Sequence, residues 1–453
     1  MKKQLSLMMV MILAGIVLVL PVAAQDAPIE ITFVHIFGEV DNEEDITDVR
    51  IAVIQSIIDD FMAENPNVVV RSRSTSTDYV EVFNNALAAA EQGLAPHVIQ
   101  VEEGLTQIAA DSQLFIPISD VATPEQLASL DDFLPQVRDY YNVGDDIWGI
   151  PWNSSNPVLY YNRGMFEEAG LDPDSPPRTF AEVLEVCEAL SAALPDLQSC
   201  ANWPMVAWFP EQWVSMQNVL IADNENGRTA RASEVFYDSD EMLLVANWWK
   251  EMADRGFYSY TGSPSNYTGE AGLFITRRTA MTINSTAGLT NFISLSERFG
   301  IDLGVGRLFI PNEDATNGVT VGGASVWLSA GHSDAEIEAA RDFVFFLTNT
   351  ENNIRWHQGS GYFPNRVSAL EQLEADGWFD ENPFFAVAID QLRESEVNAA
   401  TAGAILGPSA QVRGFLIEAF QSIVDGGQDP LEALQTAATR GTAELQAYNS
   451  LFE

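Results

Sequence analysis

The chain has 453 residues, of which 65 are Asp or Glu and only 22 are Lys or Arg, so its formal charge at pH 7 is −43. Such a negative field repels nucleic acids and anionic lipid surfaces, and we expect neither as a partner. The length suffices for two or three domains with hydrophobic cores, whereas two cysteines are too few for a disulfide scaffold.

The first predicted element is an export signal. Lys2 and Lys3 precede an apolar run over 5–20, and small residues lead up to Ala24. This order predicts cleavage near Ala24 and export to a periplasm or to the extracellular face of the cytoplasmic membrane. A retained anchor is the alternative, but the run is shorter than the roughly 20 apolar residues of a spanning helix. No Cys follows the run, so the usual lipid-attachment residue is missing.

Strands and helices are predicted to alternate in the first part of the chain. Apolar residues recur with a helical period of 3.6 between Ile51 and Phe61, and Gly93 marks the end of a second helix. Alternation of this kind indicates βαβ units on a mostly parallel sheet. The predicted elements are a strand at 29–36, a helix across 51–61, a strand at 68–70, a helix over 79–92 and a strand at 98–101.

A second α/β region begins near Trp148. Capping boxes at Thr179 and Ser333 each predict the start of a helix, and Asp429 followed by Pro430 predicts the start of the last one. Between them the pattern predicts a helix over 240–254 and strands at 280–284 and 323–329. No internal repeat or low-complexity tract interrupts this region.

The sequence contains none of the catalytic motifs that we tested. The four histidines are scattered without metal-ligand spacing, and no nucleotide-binding, metalloprotease or nucleophile-elbow signature is present. Cys187 and Cys200 fit a disulfide or a buried pair better than a nucleophile. A catalytic carboxylate pair could still hide among the many acids. We therefore expect a protein that is not an enzyme and that holds no metal and no cofactor.

Six segments in the later part of the chain are informative as a set, although each alone is only modestly specific. Taken as a set, they resemble the extracellular solute-binding family of ABC importers that includes maltose-binding protein, and within it the branch of glycerol-3-phosphate binders. The resemblance covers essentially the whole expected mature chain. The segments that carry it are 150–162 (IPWNSSNPVLYYN), 164–173 (GMFEEAGLDP), 176–180 (PPRTF), 279–285 (TAMTINS), 322–327 (GGASVW) and 356–364 (WHQGSGYFP).

The resemblance implies an α/β fold with two lobes, the type II periplasmic-binding-protein fold, in which each lobe is a mostly parallel sheet flanked by helices. Hinge crossings are implied near 150–159, 282–285 and 325–331, and the lobes close on a ligand like a clamp. The implied division is a signal peptide at 1–24, a first lobe of 25–150 and 286–328, and a second lobe of 151–285 and 329–453.

The resemblance also implies a set of ligand-contacting positions. Serine hydroxyls and a glycine N–H suit phosphate or sugar oxygens, Arg413 suits an anion, and Glu103 can accept bonds from ligand hydroxyls. Each position has a structural alternative: Arg413 could serve an ion pair, and the two tryptophans could belong to the core. The implied positions are Tyr79, Glu103, Ser155, Trp208, Trp213, Ser285, Gly323, Tyr362 and Arg413.

The function that this resemblance implies is capture of a small polar solute for import. The leading hypothesis is glycerol-3-phosphate or a glycerophosphodiester, delivered by a monomeric receptor to the transmembrane subunits of an ABC permease. A mono- or oligosaccharide is the second hypothesis, because a strongly negative protein admits a neutral ligand without charge repulsion. An exported hydrolase is a remote third hypothesis.

Overall fold

The computed structural model describes residues 27–38 and 49–452, so the predicted export signal lies outside the described residues. Most strands are short, and the two consecutive strands at 149–155 and 157–162 are buried at every position, which is typical of strands covered on both faces. The strands are β1 (Ile29–His35), β2 (Val68–Ser74), β3 (Val98–Glu102), β4 (Phe115–Ile116), β5 (Asn142–Val143), β6 (Asp146–Ile147), β7 (Gly149–Ser155), β8 (Pro157–Asn162), β9 (Ala201–Asn202), β10 (Tyr258–Ser259), β11 (Met281–Ser285), β12 (Leu303–Arg307) and β13 (Gly322–Ser329).

Helices surround these strands on both sides. None of the helices in the described part of the chain combines the length and apolar character of a membrane span. They are α1 (Val49–Glu64), α2 (Tyr79–Glu91), α3 (Thr106–Asp111), α4 (Ile118–Val121), α5 (Pro124–Ala128), α6 (Pro135–Arg138), α7 (Arg163–Glu168), α8 (Phe180–Ala193), α9 (Trp208–Met216), α10 (Asp223–Gly227), α11 (Asp240–Asp254), α12 (Tyr267–Ile275), α13 (Leu289–Phe299), α14 (Asp334–Leu347), α15 (Thr350–Ser360), α16 (Val367–Ala375), α17 (Trp378–Glu381), α18 (Pro383–Arg393), α19 (Ser409–Val424) and α20 (Pro430–Asn449).

The first lobe is built on a six-stranded sheet with the order β2-β1-β3-β13-β4, in which β7 also pairs with β13. β1 runs parallel to β2 and β3, whereas β13 runs antiparallel to β3, β4 and β7. One face of the sheet packs Phe33 and Trp152 against Phe343 of α14. The other face packs Trp327 of β13 against Phe83 of α2. Helices therefore cover both faces.

The second lobe is built on a five-stranded sheet with the order β10-β9-β11-β8-β12. β8 runs antiparallel to both β11 and β12, whereas β9 runs parallel to β10 and β11. Its core contains the buried indoles of Trp203, Trp213 and Trp249. A disulfide joins Cys187 of α8 to Cys200 just before β9, which resolves the alternative between a bonded and an unbonded pair.

Both sheets are mixed, which differs from the mostly parallel sheets that the sequence suggested. The βαβ units at the start of the chain are parallel as predicted, but β13 and β8 enter their sheets from distant parts of the chain in the opposite direction. Such long-range pairings leave no periodic signal in the local sequence, so periodicity could not predict them.

The predicted helix starts are mostly confirmed. The capping box at Ser333 forms both of its hydrogen bonds, and the Asp429 side chain caps α20. At Thr179 only the forward bond forms, because the Glu182 carboxylate accepts from the N–H of Arg178 instead. The local patterns thus placed the helices well.

The chain crosses between the lobes at Asn156, the single residue between β7 and β8, which is fully buried. The division of the chain differs from the expected one in three places. All of β7 belongs to the first sheet, and β12 pairs with β8 in the second sheet. α14 and α15 pack on β1 and α1 of the first lobe. The second crossing therefore lies between β12 and β13 rather than at 282–285.

Candidate functional site

Two first-lobe strands bring Glu103 and Gly323 together. Glu103 begins a helical turn directly after β3, and its Oε2 accepts a hydrogen bond of 3.1 Å from the N–H of Gly323 in β13. Gly323 has a φ of +117°, and a Cβ there would lie 1.9 Å from the carbonyl oxygen of Asn153. Only glycine fits this close approach, which holds the buried Glu103 carboxylate in place.

Arg413 of α19 joins this carboxylate to the second lobe. Its Nε and Nη2 donate to the two oxygens of Glu211 in α9 at 3.0 and 2.8 Å. Its Nη1 donates to Oε1 of Glu103 at 3.4 Å. The bond pair to Glu211 is the bidentate geometry that guanidinium and carboxylate favour. Arg413 therefore bridges one carboxylate from each lobe.

The charges of this cluster are strongly perturbed. Burial raises the pKa of Glu103, although Arg413 opposes that shift. Burial also disfavours the charged form of Arg413, but Glu211 and then Glu103 outweigh it and raise the pKa of the guanidinium. Burial, followed by the charge of Glu103, raises the pKa of the neighbouring Glu102 to about 8. The shift favours the neutral form of Glu102, and Arg413 shares its charge with the carboxylates of Glu103 and Glu211.

Tyr79, the first residue of α2, lies beside the crossing strand β7. Its hydroxyl accepts a hydrogen bond of 2.9 Å from the Asn153 amide, whose oxygen accepts one of 2.8 Å from Gln100. Burial and then the neighbouring Tyr362 raise the pKa of Tyr79. Tyr362 itself stacks on Trp356 with ring centroids 5.7 Å apart. The structure therefore brings Tyr79 and Tyr362 together.

The two predicted serines end strands of different lobes, β7 in the first lobe and β11 in the second. Ser155 is the last residue of β7, is buried, and lies opposite Gly322 in the register with β13. Ser285 is the last residue of β11, and its hydroxyl oxygen accepts a bond of 3.1 Å from the N–H of Ala287. The preceding Ser154 has a buried hydroxyl without a hydrogen-bond partner in the described residues.

The two predicted tryptophans have different environments. Trp208 is half-buried and lies against the first residue of β13, since a Cβ on Gly322 would be 2.6 Å from its ring. Trp213 is fully buried, donates its indole N–H to the carbonyl of Phe309 at 3.0 Å and stacks on the Phe309 ring. Trp213 is therefore a core residue of the second lobe rather than a platform for a ligand.

Sequence reasoning missed several members of this cluster. Tyr141 has a fully buried hydroxyl with no hydrogen-bond partner in the described residues, and after burial the charge of Glu103 is the next cause that raises its pKa. Glu211 is the one acid in the apolar run WFPEQWV, which is a signal that could have identified it. Asn153 and Ser154 lie inside the segment that carried the family resemblance.

One group of potential metal ligands is present in the part of the chain that the structure describes: His97, His332 and Glu336 have ligand atoms within 4.8 Å of one another. The two imidazole rings stack with centroids 3.8 Å apart. The N–H of Thr32 donates to Nδ1 of His97 at 3.1 Å, so the neutral ring carries its proton on Nε2, the atom that faces Glu336. A metal would have to displace that proton, and Nε2 of His97 lies 3.8 Å from Oε1 of Glu336, which is an ion-pair distance rather than a hydrogen bond.

Comparisons with known proteins agree with this architecture. A family profile described as bacterial extracellular solute-binding protein matches residues 56–386. The sn-glycerol-3-phosphate-binding periplasmic protein UgpB of Escherichia coli K12 is 28% identical over 405 residues, covering 87% of this chain and 90% of that protein.

Solved structures share the fold at lower identity. UgpB of Mycobacterium tuberculosis in complex with glycerophosphocholine superposes with a TM-score of 0.75 at 19% identity, covering 92% of this chain and 98% of that one. The GacH receptor of Streptomyces glaucescens, studied with acarbose, superposes with a TM-score of 0.75 at 17% identity, covering 92% of this chain and 99% of that one. Both lobes are included, so the fold is the type II two-lobed fold. The chain belongs to the bacterial extracellular solute-binding protein family, the receptors that serve ABC importers.

Proposed function

We propose that this receptor captures a glycerophosphodiester between its lobes and delivers it to the permease of an ABC importer. The observation that carries the proposal is the arrangement of Arg413, whose guanidinium is shared by the buried carboxylates of Glu103 and Glu211. The site can therefore orient a phosphate or a hydroxyl through Arg413. It provides no surplus positive charge.

Charge favours a diester over glycerol-3-phosphate. A phosphomonoester carries between one and two negative charges at pH 7. Placed about 4 Å from a carboxylate near a protein surface, each charge costs about 4 kcal/mol of repulsion. A phosphodiester carries a single negative charge, and a cationic head group such as choline cancels it. A ligand of no net charge suits a site in which Glu103 and Glu211 already outnumber Arg413.

The aromatic side chains around the cluster complement such a ligand. Tyrosine and tryptophan faces attract cations. Tyr79 lies close to Tyr362 and Glu102, and Trp208 lies against Gly322, next to the Gly323 whose N–H binds Glu103. The E. coli relative is named for sn-glycerol-3-phosphate, and the M. tuberculosis relative was solved with glycerophosphocholine, which supports this ligand class. The residues that we propose to contact ligand are Tyr79, Glu103, Ser155, Trp208, Ser285, Gly323, Tyr362 and Arg413, together with Tyr141 and Ser154.

A neutral mono- or oligosaccharide is the second candidate. Buried carboxylates such as Glu103 accept hydrogen bonds from sugar hydroxyls, and the half-buried Trp208 could stack on a ring. Structural relatives include the GacH receptor with acarbose and the maltose-bound MalE3 of T. maritima, with a TM-score of 0.74 at 15% identity.

Hydrolysis receives less support from the same geometry. Glu102 has the raised pKa of a general acid, but Glu103 and Glu211, the carboxylates beside it, are tied to Arg413. Recovery of intact glycerophosphocholine after incubation with the protein is the expected result. Release of choline or glycerol would contradict a pure receptor.

Thermal shift with three ligands tests the proposal. We expect glycerophosphocholine to raise the melting temperature, because a ligand at 100 times its dissociation constant adds about 2.7 kcal/mol of stability. Maltose and glycerol-3-phosphate should give smaller shifts. Tyr79→Ala should abolish the shift, while Arg440→Gln, which alters an exposed ion pair with Glu418, should keep it. A shift with maltose and none with glycerophosphocholine would favour the sugar.

A further inference from the structure

A second polar contact joins the lobes through Asp111, the last residue of α3 in the first lobe. Its two carboxylate oxygens accept bonds of 2.7 and 2.6 Å from the guanidinium of Arg231. The hydroxyl of Tyr448, in α20, donates to the same carboxylate at 2.7 Å, and Gln107 donates at 3.1 Å. The Asp111 side chain is only 10% exposed. Three of its four hydrogen bonds therefore come from the second lobe.

Asp111 lies on an element of the first lobe, whereas Arg231 and Tyr448 lie on elements that pack into the core of the second lobe. α3 packs through Ala109, and the residue before it through Leu105, into the first-lobe core. The loop that carries Arg231 continues into Ala232 and Val235 of the second-lobe core, which also contains Leu445 of α20. The hydrogen bonds of Asp111 to Arg231 and Tyr448 thus form only when the lobes lie together.

The loop that carries Arg231 starts from α10, which is a left-handed turn rather than a regular α-helix. Asn224, Glu225 and Asn226 have φ values of 51°, 53° and 61°, a conformation that costs a non-glycine residue about 1–2 kcal/mol. Strain of this kind persists only where the surroundings hold it, and it concentrates at functional segments. Neighbouring groups must therefore hold this turn in its left-handed conformation.

Side chains of the turn supply that support and also fix the loop. The Asn226 amide oxygen accepts from the N–H groups of Ile221 and Ala222 at 2.9 and 3.0 Å. The Asp223 carboxylate accepts from the N–H and hydroxyl of Ser233, both at 2.7 Å. The Asn224 amide donates to the carbonyl of Arg231 at 2.8 Å. The carbonyl of Arg231 and the backbone that follows it are therefore held in place beside the guanidinium that reaches Asp111.

A second arginine of the same loop also reaches towards the first lobe. Arg228 donates from Nη1 to the carbonyl of Asp139 at 3.1 Å, and its guanidinium lies 4.7 Å from the centre of the Tyr140 ring. The turn that contains Tyr140 packs against β7 of the first sheet. One strained loop therefore directs two guanidinium groups across the lobe interface.

We propose that Asp111, Arg231 and Tyr448 form a lobe latch that stabilises the closed arrangement without contacting the ligand. The proposal rests on the proposed function, because closure matters only for a clamp that binds a solute. Apparent affinity scales with the fraction of protein in the binding-competent state, so the latch sets part of the affinity. The strained turn gives the latch a rigid base.

Small-angle X-ray scattering of the ligand-free protein tests the latch directly. We expect Asp111→Asn and Arg231→Gln to increase the radius of gyration over that of the unmodified protein. Arg255→Gln is the matched control, because Arg255 pairs with Glu188 and Glu251 inside the second lobe. Tyr448→Phe removes one hydroxyl only, and it provides a milder variant should the charge variants fail to fold.

Calorimetry with glycerophosphocholine gives a second readout. Loss of a charge-assisted interlobe pair should weaken binding about tenfold, and the double variant should weaken it no further than either single change. Equal radii of gyration for all variants, or a lower melting temperature with an unchanged radius, would overturn the latch. No binding of glycerophosphocholine to the unmodified protein would contradict the proposed ligand class, and the scattering comparison would still decide the latch.

Discussion

Arg413 determines whether two buried carboxylates remain neutralised. Glu103 and Glu211 are 3% and 6% exposed, and both depend on this guanidinium. Removing one partner of a buried ion pair costs about 3–5 kcal/mol because the other charge stays buried. We expect Arg413→Gln to lower the free energy of unfolding in urea by that amount. Adding Glu211→Gln should recover part of the loss, and an unchanged urea midpoint for the single variant would contradict this prediction.

Glu102 should make stability depend on pH. Burial and the charge of Glu103 raise its pKa from 4.5 to about 8 in the folded protein. A raised folded-state pKa stabilises the protein below the ordinary pKa, and this contribution is lost as the pH rises towards 8.

We therefore expect the melting temperature of Glu102→Gln, relative to the unmodified protein, to rise between pH 5 and 8 and to level off above that range. Differential scanning calorimetry across this range measures it. The exposed Glu64→Gln serves as the control. A difference that does not change with pH would show that Glu102 titrates normally.

At the level of single residues, the family resemblance named part of the candidate cluster, whose role in ligand binding stays a prediction. Gly323, Glu103 and Arg413 were implied by the family resemblance, and the structure brings them together. Glu211 was missed because its role depends on an arginine 202 positions later in the chain. Trp213 was misplaced because an aromatic residue in an amphipathic helix looks the same in sequence whether it faces the core or a ligand.

At the level of elements, local sequence patterns predicted most of the individual helices, strands and helix caps. The strands at the start of the chain, the helix over 240–254 and the caps at Ser333 and Asp429 follow from periodicity and capping residues. The partners of β8, β12 and β13 did not follow, because those pairings join residues far apart in sequence. The exact division between the lobes depends on these pairings.

The disulfide should support the second lobe in particular. Cys187 and Cys200 are 13 residues apart and tie α8 to the edge of β9. Closing a loop of this size removes about 3 kcal/mol of unfolded-state entropy. We expect the double variant Cys187→Ser with Cys200→Ser to lose about that much stability in chemical denaturation. Reduction of the unmodified protein should reproduce the loss, and an equal midpoint with and without a reductant would contradict it.

At the level of the whole molecule, the net charge of −43 opposes compactness. Self-repulsion destabilises a compact state, and salt at about 0.5 M shortens the reach of each charge to a few ångströms. We expect sodium chloride to raise the melting temperature progressively from low ionic strength. A melting temperature that falls with salt would show that attractive ion pairs, such as Arg231 with Asp111, dominate the balance instead.

The placement of β13 has a consequence for synthesis on the ribosome. All strands of the five-stranded sheet have been made once Arg307 emerges, whereas β4 and β7 wait for Gly322–Ser329 before either has a neighbour in the six-stranded sheet. The part of the chain that is made first is therefore among the last to complete its sheet. Until β13 is available, β4 and β7 lack every sheet neighbour that they have in the folded protein, so the first lobe cannot complete its sheet before residue 329 has been made.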